Sequence, residues 1–331
     1  SHLEVFQRGD GSINDEDLAS ELEFMIQELL LEDSLSTTNF DATTALGENL
    51  LQILRDLEYS GRLTSAERNL RTIKEKFGSN SLQDVNFGSY YALVIGNNDY
   101  ENLPNLSSPI NDATMIADTL RRDYGFEVTL LLNSTRNEIV STINSYRNSL
   151  IKTDNFLIYY AGHGQIDLDT AQGFWQPTDA SVDDDTNWIP NDRITSTLRG
   201  FDSDNILVIA DSCYSGIVLR GPSQLENTDD LVNSDYVASL IRRKTRMALT
   251  SGGVEPVIDT LPGTENSIFA LALLNTLREN QTVITATDIY RRVSQDVVAN
   301  LASMGITQTP EFSGLLRSGH EGGDFFFNRA D

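Results

Sequence analysis

Ile206-Leu207-Val208-Ile209-Ala210-Asp211-Ser212-Cys213-Tyr214-Ser215-Gly216 is the stretch on which the fold turns. An apolar run rich in β-branched residues, cut off by Asp-Ser, reads as a strand buried on both faces whose carboxyl end presents a thiol to a crevice. Cys213 is the only cysteine among 331 residues. A second run of the same kind, Asn155 to Ala161, ends in Gly162-His163-Gly164, which sets an imidazole at its tip between two residues without side chains. A strand-end thiol and a strand-end imidazole make a candidate dyad.

Around these two runs the pattern alternates. Tyr91 to Ile95 reads as a strand, Asn111 to Arg122 as a helix, Glu127 to Leu132 as a strand and Arg136 to Ile151 as a helix. Such βαβ alternation implies a largely parallel sheet covered by helices, with its ligand crevice at the carboxyl ends of the strands. After Gly216 the pattern breaks into a Gly, Pro and acid-rich segment ending in Arg242-Arg243-Lys244, which reads as an exposed loop. Strand structure is expected again at Arg246 to Thr250, helices at Ser267 to Arg278 and Thr287 to Leu301, and a last strand at Asp324 to Phe327.

Before residue 85 the chain reads differently. Leu18, Leu22, Met25, Ile26, Leu29 and Leu30 form an apolar stripe on a helix spanning residues 15 to 32, and further helices are expected at Ala45 to Leu57 and Ser65 to Phe77. Residues 1–85 are therefore an N-terminal helical region, either a recruitment or autoinhibitory segment or a packing element. Ser1 to Asp10 open without Met and read as a processing or expression remnant.

Composition sets the outer limits. The chain is 39% hydrophobic and 8% aromatic, ordinary globular content, and carries a net charge of −25. That charge disfavours nucleic acid and anionic membranes and makes a basic substrate the natural complement. With no apolar run long enough for a membrane span and no signal peptide at the start, a cytoplasmic protein is expected.

The segments Tyr90 to Tyr100, Asn111-Asp112-Ala113, Tyr160 to Gly164 and Asp211 to Gly216 follow one another over about 125 residues, and His163 lies 50 residues before Cys213. In this order they resemble the signatures of the metacaspases and their bacterial relatives, the orthocaspases. With the segment after Arg246, the resemblance covers about three quarters of the chain. It implies a caspase-like α/β fold, a mostly parallel six-stranded sheet sandwiched by helices, split into a large-subunit portion at 86–220, a processing linker at 221–245 and a small-subunit portion at 246–331.

The same resemblance assigns chemistry. Cys213 is the nucleophile and His163 its base, since a thiol near neutral pH needs a proton acceptor to become a thiolate. The amides of Gly164 and Cys213 would form the oxyanion hole. Asp211 lies two residues before Cys213 and by strand alternation shares its face. Asp112 matches the second acid of the metacaspase specificity pocket, with a helix cap as the plainer alternative. Two carboxylates at a pocket floor favour Arg over Lys, and Ser251 is expected to line the same cleft. Ala161 departs from the family, which often carries Ser there.

Expected partners are protein or peptide substrates with exposed Arg or Lys, and an upstream activating protease. Arg220, Arg242, Arg243 and Lys244 are candidate processing sites that would make the chain a zymogen. No cofactor is required by this chemistry. Asp179, Asp183, Asp184 and Asp185 are calcium candidates, although their spacing fits no EF-hand and an acidic surface loop is the commoner reading. The resemblance points to a cysteine endopeptidase in a bacterial defence or cell-death setting. The alternative is a catalytically silent adaptor that presents the N-terminal helical region.

Overall fold

The computed structural model describes residues 86–167, 169–170, 172–212, 240–252, 260, 264–302 and 305–330. The helices expected before residue 85, Cys213, Arg220 and most of the 221–245 linker lie outside the described residues.

Strands β1 (Tyr90–Gly96), β2 (Glu127–Leu132), β3 (Asn155–Ala161), β7 (Asn205–Asp211), β8 (Thr245–Thr250) and β10 (Glu311–Gly314) form one sheet. Its order is β10-β8-β7-β3-β1-β2. The first five are parallel, and β10 runs antiparallel to β8. Chain order reverses at β1: the chain leaves it for β2 on one side and returns to β3 on the other. The carboxyl ends of β1 and β3 therefore face a topological switch point, where connections diverge and leave room for a ligand.

Helices cover both faces. Alternate residues of β1, β3 and β7 (Ala92 and Val94, Leu157 and Tyr159, Leu207 and Ile209) pack under α1 (Pro109–Tyr124), α4 (Ile268–Glu279) and α5 (Ala286–Ala302). The residues between them (Leu93 and Ile95, Phe156 and Ile158, Ile206 and Val208) pack under α2 (Arg136–Ser149) and α3 (Asn191–Arg199). This is why β1, β3 and β7 read as continuous apolar runs: both faces are buried. α2 starts where Thr135 and Glu138 close a capping box, and α1 ends at Gly125, whose left-handed backbone an L side chain would resist.

A second, small sheet joins β4 (Gly164–Asp167), β5 (Gln172–Trp175) and β6 (Ile189–Pro190) beside the end of β3. The strand expected at Asp324 to Phe327 is displaced: β11 (Phe326–Asn328) pairs with β9 (Val283–Thr285) outside the main sheet. The sixth strand of the main sheet is instead β10, whose four residues Glu-Phe-Ser-Gly carry too little apolar signal to stand out.

Candidate active site

The loop leaving β1 carries the Gly96-Asn97-Asn98-Asp99-Tyr100 motif, and each asparagine is a brace. Asn97 donates its amide to the Ala161 carbonyl at 3.0 Å and accepts from the Ser134 amide at 2.8 Å. Asn98 Oδ1 accepts from the Ile110 amide, a first-turn donor of α1, while its Nδ2 reaches the Ser107 carbonyl. Gly96 is small because a Cβ there would stand 2.5 Å from the Pro109 carbonyl and 2.7 Å from Ala113 Cβ. The loop and α1 are thereby locked over the end of β3.

His163 stands at that end, half-buried. Its amide donates to Tyr100 Oη at 2.8 Å, its carbonyl accepts from Tyr160 Oη at 2.8 Å and from the Gln176 amide at 3.0 Å, and its ring lies 4.7 Å from that of Tyr100. Its Nε2 is 2.7 Å from the Pro104 carbonyl oxygen. A carbonyl only accepts, so Nε2 carries the proton of the neutral ring and Nδ1 keeps its lone pair. A Cβ at Gly162 would sit 2.7 Å from Tyr100 Oη, so its smallness seats the tyrosine that holds His163. Gly164 opens β4 and is buried.

β3 and β7 are neighbours, with Ala161 opposite Asp211. Beyond Asp211 only Ser212 is described before Cys213, and its buried hydroxyl has no hydrogen-bond partner among the described residues. Asp211 falls on the face of the sheet shared by Ala161, Ile209, α1 and α4. Ser251 follows β8 in the same row, fully buried, its amide on the Ala210 carbonyl.

Asp112 lies in α1, fully buried, and does not cap it, because the N-cap is Ser108. Its carboxylate accepts from Asn266 Nδ2 at 2.6 Å and from the Ser267 amide at 3.2 Å. The Ser267 hydroxyl donates to Asp211 Oδ2 at 2.5 Å and accepts from the Ala270 amide at 2.9 Å as N-cap of α4. One serine thus joins both carboxylates to the positive end of a helix, which stabilises anions. Burial first, and the neighbouring Asp211 charge second, push the Asp112 carboxyl up to about 7. Tyr159, fully buried on the same face, has a hydroxyl with no hydrogen-bond partner among the described residues. Burial and the two nearby carboxylates hold its ionisation far above the usual tyrosine range.

Pro104, Tyr100, Asn266, Ser267 and Tyr159 were not singled out from the sequence. Ser267 before an apolar run is a legible cap; the others left no local signal.

The remaining candidates are scattered. Asp179 accepts from the Arg136 amide and Asp184 caps the turn at Thr186. Among the described residues no three His, Cys, Asp or Glu side chains gather to hold a metal ion. Arg242 and Arg243 are exposed just before β8, whereas the Lys244 carbonyl accepts from the Glu321 amide and its ammonium lies 3.8 Å from Asp204.

The comparison with families of known proteins settles the lineage. Residues 89–318 match the caspase domain of the peptidase C14 family. The chain belongs to the caspase-domain family. No curated protein matches it. Among solved structures, a Geobacter sulfurreducens protein is similar at 19% identity, covering 72% of this chain and 99% of that one with a TM-score of 0.46. Caspase-1 from Spodoptera frugiperda is similar at 16% identity over 70% and 90% of the two chains, with a TM-score of 0.49. By the family match, the α/β sheet of six mainly parallel strands described above is that of a caspase-like protein, and no helix among the described residues is long and apolar enough to cross a membrane.

Proposed function

We propose that this caspase-domain protein is a cysteine endopeptidase that cleaves protein chains after Arg, and more weakly after Lys. The observation that carries the reading is the buried pair Asp112 and Asp211, joined through Ser267 on the sheet edge that leads into Cys213. Two carboxylates held side by side resist full ionisation until a cation comes between them, and a guanidinium can bond both.

Cys213 attacks the carbonyl carbon of the Arg residue, passing its proton to His163 Nδ1, the nitrogen left free by Pro104. The imidazolium then gives that proton to the departing amine, and water, deprotonated by the same ring, releases the acyl group from sulfur. The amides of Gly164 and Cys213 steady the oxyanion in both steps. Exposed Arg242 and Arg243 are candidate processing points at the end of the linker; so is Arg220.

The test is a set of fluorogenic peptides with Arg, Lys or Asp before the scissile bond, given to wild type, Cys213→Ala and Asp112→Asn, before and after limited proteolysis. Expected are turnover with Arg above Lys, none with Asp, none in Cys213→Ala, and about 30-fold or more loss of kcat/KM on Arg peptides in Asp112→Asn. Turnover with Asp alone removes the pocket assignment, and silence in every state removes the enzyme.

A further inference from the structure

On the other side of His163 from the carboxylates lies a hollow of about 190 Å³. Its walls are Leu103, Pro104, Gln165, Gln176, Val182 and Trp188, with His163 and Gly164 at its inner edge. Its position follows from the sheet: Tyr160, which bonds the Gln176 carbonyl, faces the side of β3 opposite to Ala161.

The walls are fixed in advance. The Trp188 indole donates Nε1 to the Ser181 carbonyl at 2.9 Å and meets Phe174 edge to face at 5.4 Å. The facing loop is tied across by the Glu101 amide on the Thr178 carbonyl, 3.0 Å, and by His163 Nε2 on Pro104. Val182 is 63% exposed, an apolar side chain held open to solvent on the rim.

We propose that this hollow receives the side chain of the residue immediately after the scissile bond and selects a medium-sized apolar one. The inference rests on the endopeptidase reading. The leaving amine must come within hydrogen-bond reach of His163 to take its proton, so the side chain one carbon further on falls beside that ring. Arg before the bond is committed to the carboxylates on the opposite face, and the leaving segment exits past His163. There the side chains of Leu103, Val182 and Trp188 shed their water to an apolar side chain at a gain, while the polar part of the lining, Gln165 and Gln176, offers amides to its backbone. Exposed Asp183, Asp184 and Asp185 adjoin Val182 and repel an acid at this position.

Quenched-fluorescence peptides that share Arg before the bond and differ after it, Leu, Gly or Asp, test this on the full chain. The expected kcat/KM for Leu exceeds that for Gly by about tenfold or more, with Asp below Gly. Val182→Asp and Trp188→Ala should each bring the Leu-to-Gly ratio within about twofold; taken on one preparation, the ratio is independent of how much enzyme is folded. Equal turnover of Leu and Gly by wild type, or a ratio that survives both substitutions, overturns the proposal. A peptidyl-arginine chloromethyl ketone, which carries nothing beyond its reactive carbon, reads the parent function separately. Labelling of Cys213 without leaving-side preference removes the hollow alone, and absence of both labelling and cleavage removes the two together.

Discussion

His163 Nε2 lies 2.7 Å from the carbonyl oxygen of Pro104, across the switch point between β1 and β3. The bond links two connections that diverge from the sheet, and it decides which ring nitrogen can act as base. In a neutral ring the proton sits on Nε2, and Nδ1 is left for the base role proposed above. Long-range ¹H–¹⁵N spectra of the imidazole at neutral pH should show the Nε2–H tautomer for His163. A dominant Nδ1–H tautomer would contradict the proton path given above. Tyr100→Phe, which removes the acceptor for the His163 amide, should lower kcat about tenfold while KM changes little, because alignment rather than substrate contact is lost.

Ser267 carries two tasks that one substitution removes together. Its hydroxyl caps α4 and bonds Asp211, and losing a cap costs about 1 kcal/mol while a buried acceptor left short of a donor costs about 1–3 kcal/mol. Ser267→Ala should therefore lower unfolding free energy by about 2–4 kcal/mol in urea and raise KM for Arg peptides. Ser267→Thr keeps the hydroxyl and should restore most of both. A Thr variant as impaired as Ala would mean that packing, not the bond, is what matters here.

What could be read from the chain and what could not divide along physical lines. β3 and β7 announced themselves as apolar runs because neighbours bury both their faces, and strand β2 fell on the residues expected, Glu127–Leu132. His163, Asp112 and Asp211 stood out as candidates because strand ends and helix starts are positions where a charged or titratable residue is conspicuous. β10 was missed because four residues at a sheet edge carry no period. Ser267 and Asp112 are 155 residues apart, and no local pattern encodes a bond across that distance. Pro104 contributes only a carbonyl, which any residue could supply, so its identity holds no trace of its role. The N-terminal helices and the thiol itself lie outside the described residues.

Arg246 also hides in a strand pattern. Its side chain is fully buried on β8 and donates to the carbonyls of Asp204 at 2.6 Å, Thr245 at 2.9 Å, Ser203 at 2.5 Å and Phe201 at 3.4 Å. Burial draws its pKa down to about 10, which leaves it charged at neutral pH. The guanidinium staples the turn before β7 to β8, the two strands that bring Asp211 and Ser251 into one row. Arg246→Met should cost about 3 kcal/mol or more in denaturant titration, because four carbonyls lose donors that water cannot replace. Arg246→Lys, with one ammonium in place of the fork, should recover less than half. Near-wild-type stability in the Met variant would show that these carbonyls are not in need of a donor.

Asp112 ties stability to pH through its proton, and would tie it to the proposed cation pocket as well. Its carboxyl rises from an ordinary 3.8 to about 7 in the folded chain, through burial and the Asp211 charge. A raised value means the fold prefers the protonated form: that stability is fully present below about pH 3.8 and is lost as pH climbs from there through about 7. The loss is on the order of 4 kcal/mol at most, and it should vanish in Asp112→Asn, whose stability will fall less than that of wild type between pH 4 and 7.5. A guanidinium in the pit favours the ionised form, so binding an arginine ligand near pH 6.5 should release a proton, seen as a dependence of calorimetric heat on buffer ionisation enthalpy. Cys213→Ala is the protein for that titration, since it cannot turn the ligand over. Heat that is the same in every buffer, with wild type and Asp112→Asn parallel in their pH dependence, would mean that Asp112 is already ionised in the empty pit and that cation binding is not coupled to its proton.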